Sequence, residues 1–140
     1  MKLMIDTNIL LDVLLDREPF SDASAMIWRL CEAKETEGCI SSLSFANIAY
    51  VLRKKIDKQS IMSMITDLSL IFRFEDLGQG DLYGAAACQW DDFEDGIQFA
   101  TAVRIKADCI ITRNKKDYVD SIIPVMTPEE FLSAYKKNFM

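Results

Sequence analysis

Residues 1–17 read MKLMIDTNILLDVLLDR: an almost unbroken apolar run, Lys2 to Ile5, stops abruptly at Asp6-Thr7-Asn8 and gives way to an apolar turn, Ile9 to Leu11, that carries Asp12. A continuous apolar run, rather than an alternating one, is what a strand buried on both faces requires. Four more such runs follow, at Gly38 to Ser41, Leu70 to Phe74, Asp108 to Thr112 and Ile122 to Met126. Helical spacing fills the intervals. Ala25, Trp28, Leu30 and Cys31 recur on a period of about 3.6 in Ser21 to Ala33, as do Phe45, Ile48, Ala49 and Leu52 in Ser44 to Lys55, and Ser60 to Leu68 and Asp81 to Trp90 follow the same pattern. Thr127-Pro128-Glu129-Glu130 supplies a cap, a proline at the first helical position and a glutamate at the capping-box position. Strands alternating with helices predict an α/β fold in three layers: a central parallel sheet of about five strands, right-handed crossovers and helices on both faces. Five glycines, three prolines and the lack of any low-complexity tract or repeat predict one domain over residues 1–140.

The composition narrows the chemistry. Twenty-two acidic against 16 basic side chains give a formal charge of -6, so any nucleic-acid contact needs local Lys/Arg patches or bridging cations. There is no histidine, which removes imidazole proton shuttles, Ser-His and Cys-His pairs and imidazole zinc sites. Cys31, Cys39, Cys88 and Cys109 form no C-x-x-C pair and read as reduced, buried thiols. No charged-then-apolar leader opens the sequence and no apolar run is long enough to span a bilayer, so the expected location is the cytoplasm, away from membranes.

What remains is oxygen chemistry. In an open parallel sheet, functional groups gather beyond the carboxyl ends of the strands. Asp6 sits at such an end, where it or Asn8 also suits the cap of a following short helix. Asp91-Asp92-Phe93-Glu94-Asp95 opens a helix running to about Lys106. At about 100° per residue from Asp92, the residues Gly96, Phe99 and Val103 fall within about 40° and Asp95 about 60° to the other side. Asp92 and Asp95 are thus expected to face inward and Glu94 to be solvated, although acids in a first turn also favour the helix dipole. The fourth run ends in Thr112-Arg113-Asn114, on the same sheet edge as Asp6, with Asp117 three residues on. Hard oxygen donors suit Mg²⁺ or Mn²⁺, and such a site points to metal-assisted phosphodiester hydrolysis with Asp6, Asp92 and Asp95 as the acids.

These segments resemble the PIN-domain family, the nuclease fold that includes the VapC-type toxins of bacterial toxin-antitoxin pairs. The resemblance covers almost the whole chain and rests on MKLMIDTNILLDVLLDR, DFEDGIQFATAV and CIITRNKKDY, in that order. It implies a metal-dependent endoribonuclease acting on RNA, an antitoxin protein as partner and a homodimer. It also implies Asp6 and Asp95 as metal ligands, Asp92 as a supporting acid, Asn114 as a further ligand, Thr112 as the group that orients ligands or phosphate, and Asn8 and Asn47 in support. Two positions depart from the family pattern: Asn47 stands where a glutamate is common, and Asn114 where an aspartate is frequent. An amide coordinates through oxygen but carries no charge and cannot act as a base. A second reading therefore stays open, a catalytically weakened PIN-fold module that binds RNA or a protein.

Arg113, Lys115 and Lys116 flank the proposed site and are the expected RNA contacts. Arg53, Lys54, Lys55 and Lys58 read instead as a solvated cluster favouring a helix C-terminus. Trp28, Trp90 and Phe20 read as core or association surface, and the helices over 21–33 and 44–55 as a dimer face or a groove for a partner peptide.

Overall fold

The computed structural model describes residues 1–139, with side chains through Lys137; Met140, the last residue of the expected domain, lies outside the described residues. Five parallel strands, β1 (Lys2–Ile5), β2 (Glu37–Ser41), β3 (Arg73–Glu75), β4 (Cys109–Ile111) and β5 (Val125–Met126), make one sheet in the order β3-β2-β1-β4-β5. The connecting helices are α1 (Thr7–Leu14), α2 (Ser21–Glu32), α3 (Ser42–Leu52), α4 (Lys58–Ile71), α5 (Gln79–Cys88), α6 (Phe93–Arg104) and α7 (Pro128–Phe139), with a 3₁₀ turn at Lys115–Tyr118.

β1 takes the centre because its side chains are apolar on both faces. Leu3 and Ile5 pack with Ile9, Ile27 and Ile48 on one side, whereas Met4 packs with Ala102, Ile110 and Tyr118 on the other. This is the alternation of a strand sandwiched between two helical layers. The chain winds outward from β1 through β2 to β3, then returns to β1's other flank as β4. The reversal places a crevice at the carboxyl ends of β1 and β4.

Three local expectations are corrected. Leu70 and Ile71 belong to α4 rather than to the third strand. The Asp57 cap on Ser60 N–H (2.8 Å) starts that helix early, and the Phe72 N–H still bonds Leu68 O at 2.9 Å. Phe72 then turns into the core, edge-on to Trp28 at 5.2 Å, while Leu70 stays exposed. The fifth strand is only Val125–Met126; Pro124 before it has no N–H to give a ladder, and Ile122 is exposed. The apolar turn at Ile9 to Leu11 is the middle of a full helix, α1. Thr127 does cap α7, accepting from Glu130 N–H at 3.2 Å, but the Glu130 carboxylate lies on Lys115 Nζ at 2.9 Å. The four cysteines are free and three of them are buried. Among the described residues no helix is long and apolar enough to cross a membrane.

β2 approaches α2 and the end of α4 closely at Gly38, where an added Cβ would stand 2.7 Å from both Cys31 Sγ and Phe72 Cδ1. Gly38→Ala is expected to destabilise the fold by about 1–3 kcal/mol through overpacking. Urea unfolding should show a lower midpoint at unchanged slope, and an unchanged midpoint would contradict the close approach of β2 to Cys31 and Phe72 at Gly38.

Candidate functional site

The register that sets Ile5 beside Ile111 brings the residues just beyond them, Asp6 and Thr112, side by side. Thr112 Oγ1 donates to Asp6 Oδ2 at 2.9 Å, and the Asp6 N–H bonds Ile111 O at 3.0 Å. Asp6 is only 7% exposed. Burial lifts its pKa from 3.8 to about 6, against the opposing pull of hydrogen bonds from Thr112 and the Thr7 backbone and of the Arg113 charge.

α6 begins at the same crevice. Asp92 is its N-cap, with extended backbone (φ -100°, ψ 112°), and its Oδ1 accepts from Glu94 N–H at 2.8 Å and Asp95 N–H at 3.2 Å. A cap lies outside the helical register, so Asp92 is exposed and does not share a helix face with Asp95 as the 100° spacing predicts. Its charge nevertheless reaches the crevice. The Asp95 carboxyl is half-buried, and burial, followed by the charges of Asp92, Asp6 and Asp117, lifts its pKa to about 7. Tyr118, itself buried, donates its hydroxyl to Asp95 Oδ1 at 3.3 Å. Burial, then the charges of Asp6 and Asp95, push the Tyr118 phenol pKa far upward, so it stays protonated as a donor.

Glu94 is exposed, as expected, yet it also lines this crevice. Asn47 Nδ2 donates to Glu94 Oε2 at 3.1 Å, and the two residues line, with Asp6, Asn8, Asp92 and Asp95, a cleft of about 270 Å³. A carboxylate from α6 thereby stands beside the amide that α3 contributes. Beneath them Gln98 Nε2 donates to Ser44 Oγ at 3.1 Å and to Thr7 Oγ1 at 3.3 Å, with the two hydroxyls 2.7 Å apart. One buried amide thus fastens the first turns of α1 and α3 to α6. Sequence reasoning missed the parts played by Glu94, Gln98 and Tyr118; the available signal was polar, Gln98 standing one turn after Glu94 on α6.

The structure places the remaining expected residues differently. Asn114 joins the site through its backbone, whose N–H donates to Thr112 Oγ1 at 3.1 Å. Arg113 turns inward onto the fully buried Asp12: Nη2 donates to Oδ1 at 3.2 Å, Nε stands 3.0 Å from Oδ2, and the guanidinium lies 4.1 Å over the Phe20 ring. Lys115 is paired with Glu130. Lys116 is exposed, beside Asp91, Asp92 and Asp117.

Carboxylate and amide oxygens line the cleft, a donor set that fits a hard divalent cation. A cation would also relieve the repulsion and burial that raise the Asp6 and Asp95 pKa values. Among the described residues no three acidic side chains converge on a ready-made cage. The fit is therefore to an ion such as Mg²⁺ that keeps several waters and takes few protein carboxylates.

The PIN domain family model matches residues 2–116. A toxin-antitoxin complex from Klebsiella pneumoniae contains a chain 26% identical to this one, with a TM-score of 0.67, covering 91% of this chain and 98% of that one. VapBC2 from Rickettsia felis, bound to a promoter DNA fragment, is 18% identical with a TM-score of 0.68 over 91% of this chain and 98% of that one. VapC20 of Mycobacterium tuberculosis, a sarcin-ricin-loop-cleaving toxin, is 14% identical with a TM-score of 0.61 over 79% of this chain and 87% of that one. The last two likenesses are of fold. No curated protein matches the chain.

Proposed function

The chain belongs to the PIN-domain family, and from that membership we propose that it is a single-domain, metal-dependent endoribonuclease and the toxin of a toxin-antitoxin pair. The observation that carries this reading is that Asp6 and Asp95, from elements far apart in sequence, line one cleft with pKa values raised to about 6 and about 7. Carboxylates so raised are poised for a cation rather than for solvent.

In this reading Asp6 and Asp95 hold Mg²⁺ or Mn²⁺, and Asp92 supports them as both helix cap and nearby charge. Thr112 fixes the orientation of Asp6, and Tyr118 that of Asp95. Glu94, hydrogen-bonded to Asn47, supplies the negative charge that the amide lacks, with Asn8 and Asn47 as neutral oxygen donors at the rim. When bound, the ion supplies positive charge that stabilises the phosphodiester as it reacts. The likeness to a solved toxin-antitoxin complex supports an antitoxin as partner, and the family supports a homodimer. A groove of about 550 Å³, lined by Leu14, Trp28, Met64, Leu68 and Ile71 together with Asp57, Gln59, Ser60, Ser63 and Asp67, offers a mixed apolar and polar surface for such a partner.

The test is cleavage of an end-labelled mixed RNA pool by purified protein with Mn²⁺, Mg²⁺ or EDTA, beside Asp95→Asn. The expected result is ion-dependent cutting, stopped by EDTA and reduced on the order of 100-fold or more in the variant, as loss of several kcal/mol of charge stabilisation implies. A folded wild type that binds RNA or a partner regardless of EDTA, and cuts no RNA with either ion, would establish the non-catalytic module instead.

A further inference from the structure

We propose that Tyr50 and Arg53, at the exposed end of α3, form a subsite for one unpaired nucleotide of RNA, its base stacked on the Tyr50 ring and its phosphate held by Arg53. The proposal rests on the nuclease reading for the position of the substrate.

The cleft is bordered by Asp6, Asp92, Glu94 and Asp95, so a polyanion entering it needs cations at the rim. Two of the three basic residues nearest in sequence to the site are engaged elsewhere, Arg113 folded onto Asp12 and Phe20 and Lys115 paired with Glu130, while Lys116 stands exposed beside Asp91, Asp92 and Asp117. Arg53 is differently placed. Its guanidinium lies 3.6 Å from the centroid of the Tyr50 ring and also donates to the Tyr50 carbonyl, so its head is held against a cleft-lining neighbour three residues back. Tyr50 lines that cleft beside Asn47 and Val51, yet is 66% exposed. A ring steadied by a cation and left open to solvent at the edge of an acidic cleft is a stacking platform with a phosphate contact attached. Lys54 and Lys55, which follow Arg53 in the chain, are exposed as well.

Stacking on an aromatic ring accepts any base but needs one that is unpaired, so the subsite selects single-stranded segments, loops and bulges over duplex. It also gives the basic cluster after α3 a role beyond favouring the helix dipole.

The test is fluorescence anisotropy of a labelled 12-nucleotide oligouridine and of an RNA duplex of the same length, in Ca²⁺, with RNA integrity checked on a gel. Tyr50→Ala is expected to weaken oligouridine binding about tenfold, and Tyr50→Phe to leave it within about twofold. Arg53→Gln should weaken binding and lower the slope of log affinity against log salt by about 0.7. The duplex should bind more weakly and ignore Tyr50→Ala. Ion-dependent RNA cleavage by the wild type, with oligouridine affinity unchanged in Tyr50→Ala, overturns the subsite and leaves the nuclease reading standing. Tyr50-dependent binding by a wild type that never cleaves does the reverse. Failure of the wild type to bind oligouridine at low salt overturns the subsite, as does a Tyr50→Ala protein that binds RNA normally but changes its sedimentation, which would assign the pair to a protein interface.

Discussion

Asp6→Asn is expected to make the metal-free protein more stable at pH 8 while abolishing ion-dependent RNA cleavage. The folded-state pKa of Asp6, about 6, lies above its ordinary 3.8, so between those values the native protein holds a proton that the unfolded chain has released. Stability therefore falls as pH rises through that window, and Asp95, raised to about 7, extends the decline toward neutrality. About two pKa units correspond to about 3 kcal/mol. The substitution removes that penalty but gives up one of the hydrogen bonds that Thr112 and the Thr7 backbone make to the carboxylate, at a cost of about 1 kcal/mol. A net gain of about 1–2 kcal/mol is expected at pH 8, and little or none at pH 4. Added Mn²⁺ should reverse the ranking by stabilising the wild type alone. The measurement is thermal unfolding of both proteins at the two pH values, with EDTA and with Mn²⁺, beside the cleavage assay, where the loss should be on the order of 10²–10³-fold. A variant that unfolds at the wild-type temperature or below at pH 8 in EDTA would show that Asp6 is not held under electrostatic stress.

Arg113→Ala is expected to destabilise the protein by about 3 kcal/mol or more, at the lower end of what breaking a buried pair costs. Asp12 is 0% exposed, and Arg113 contacts both of its oxygens. Arg17, 3.6 Å from the same carboxylate, offers partial compensation and holds the cost below the upper range of about 5 kcal/mol. The alanine also uncovers the Phe20 ring. Chemical denaturation measures the loss, and binding of oligouridine by the variant, at a temperature where it is folded, separates the two roles. A variant as stable as the wild type but weakened in RNA affinity would return Arg113 to the role its position in the sequence suggests.

That position misleads because Asp12 and Arg113 are 101 residues apart and nothing local to either announces the other. The sheet, by contrast, is legible: continuous apolar runs mark strands buried on both faces, and the abrupt polar stops after Ile5 and Ile111 mark the sheet edge where Asp6 and Thr112 meet. The face of α6 is not. Glu94, Gln98 and Thr101 lie within about 60° of one another on a helix, and Gln98 and Thr101 are buried, so the inward stripe at the cleft is polar. A reading that follows apolar residues centres on Phe99 and Val103 instead, although Val103 is 40% exposed, and so finds Glu94 in solvent, where it is, but not at the cleft that it also lines. Strand ends are hard to read for a related reason: Leu70 and Ile122 are apolar but exposed, and pattern alone does not distinguish them from core.

The central place of β1 bears on the order in which the molecule is made. β1 leaves the ribosome before either of the strands that flank it, and its pairing Leu3↔Cys109 cannot form until more than a hundred further residues exist. Thr112, which holds Asp6 in place, comes later still. The non-local closure that makes such a sheet slow to assemble also keeps the cleft incomplete in every nascent chain that stops short of β4. For a protein that we propose cuts RNA in the cell that makes it, this delay withholds the complete cleft until β4 and Thr112 have been made.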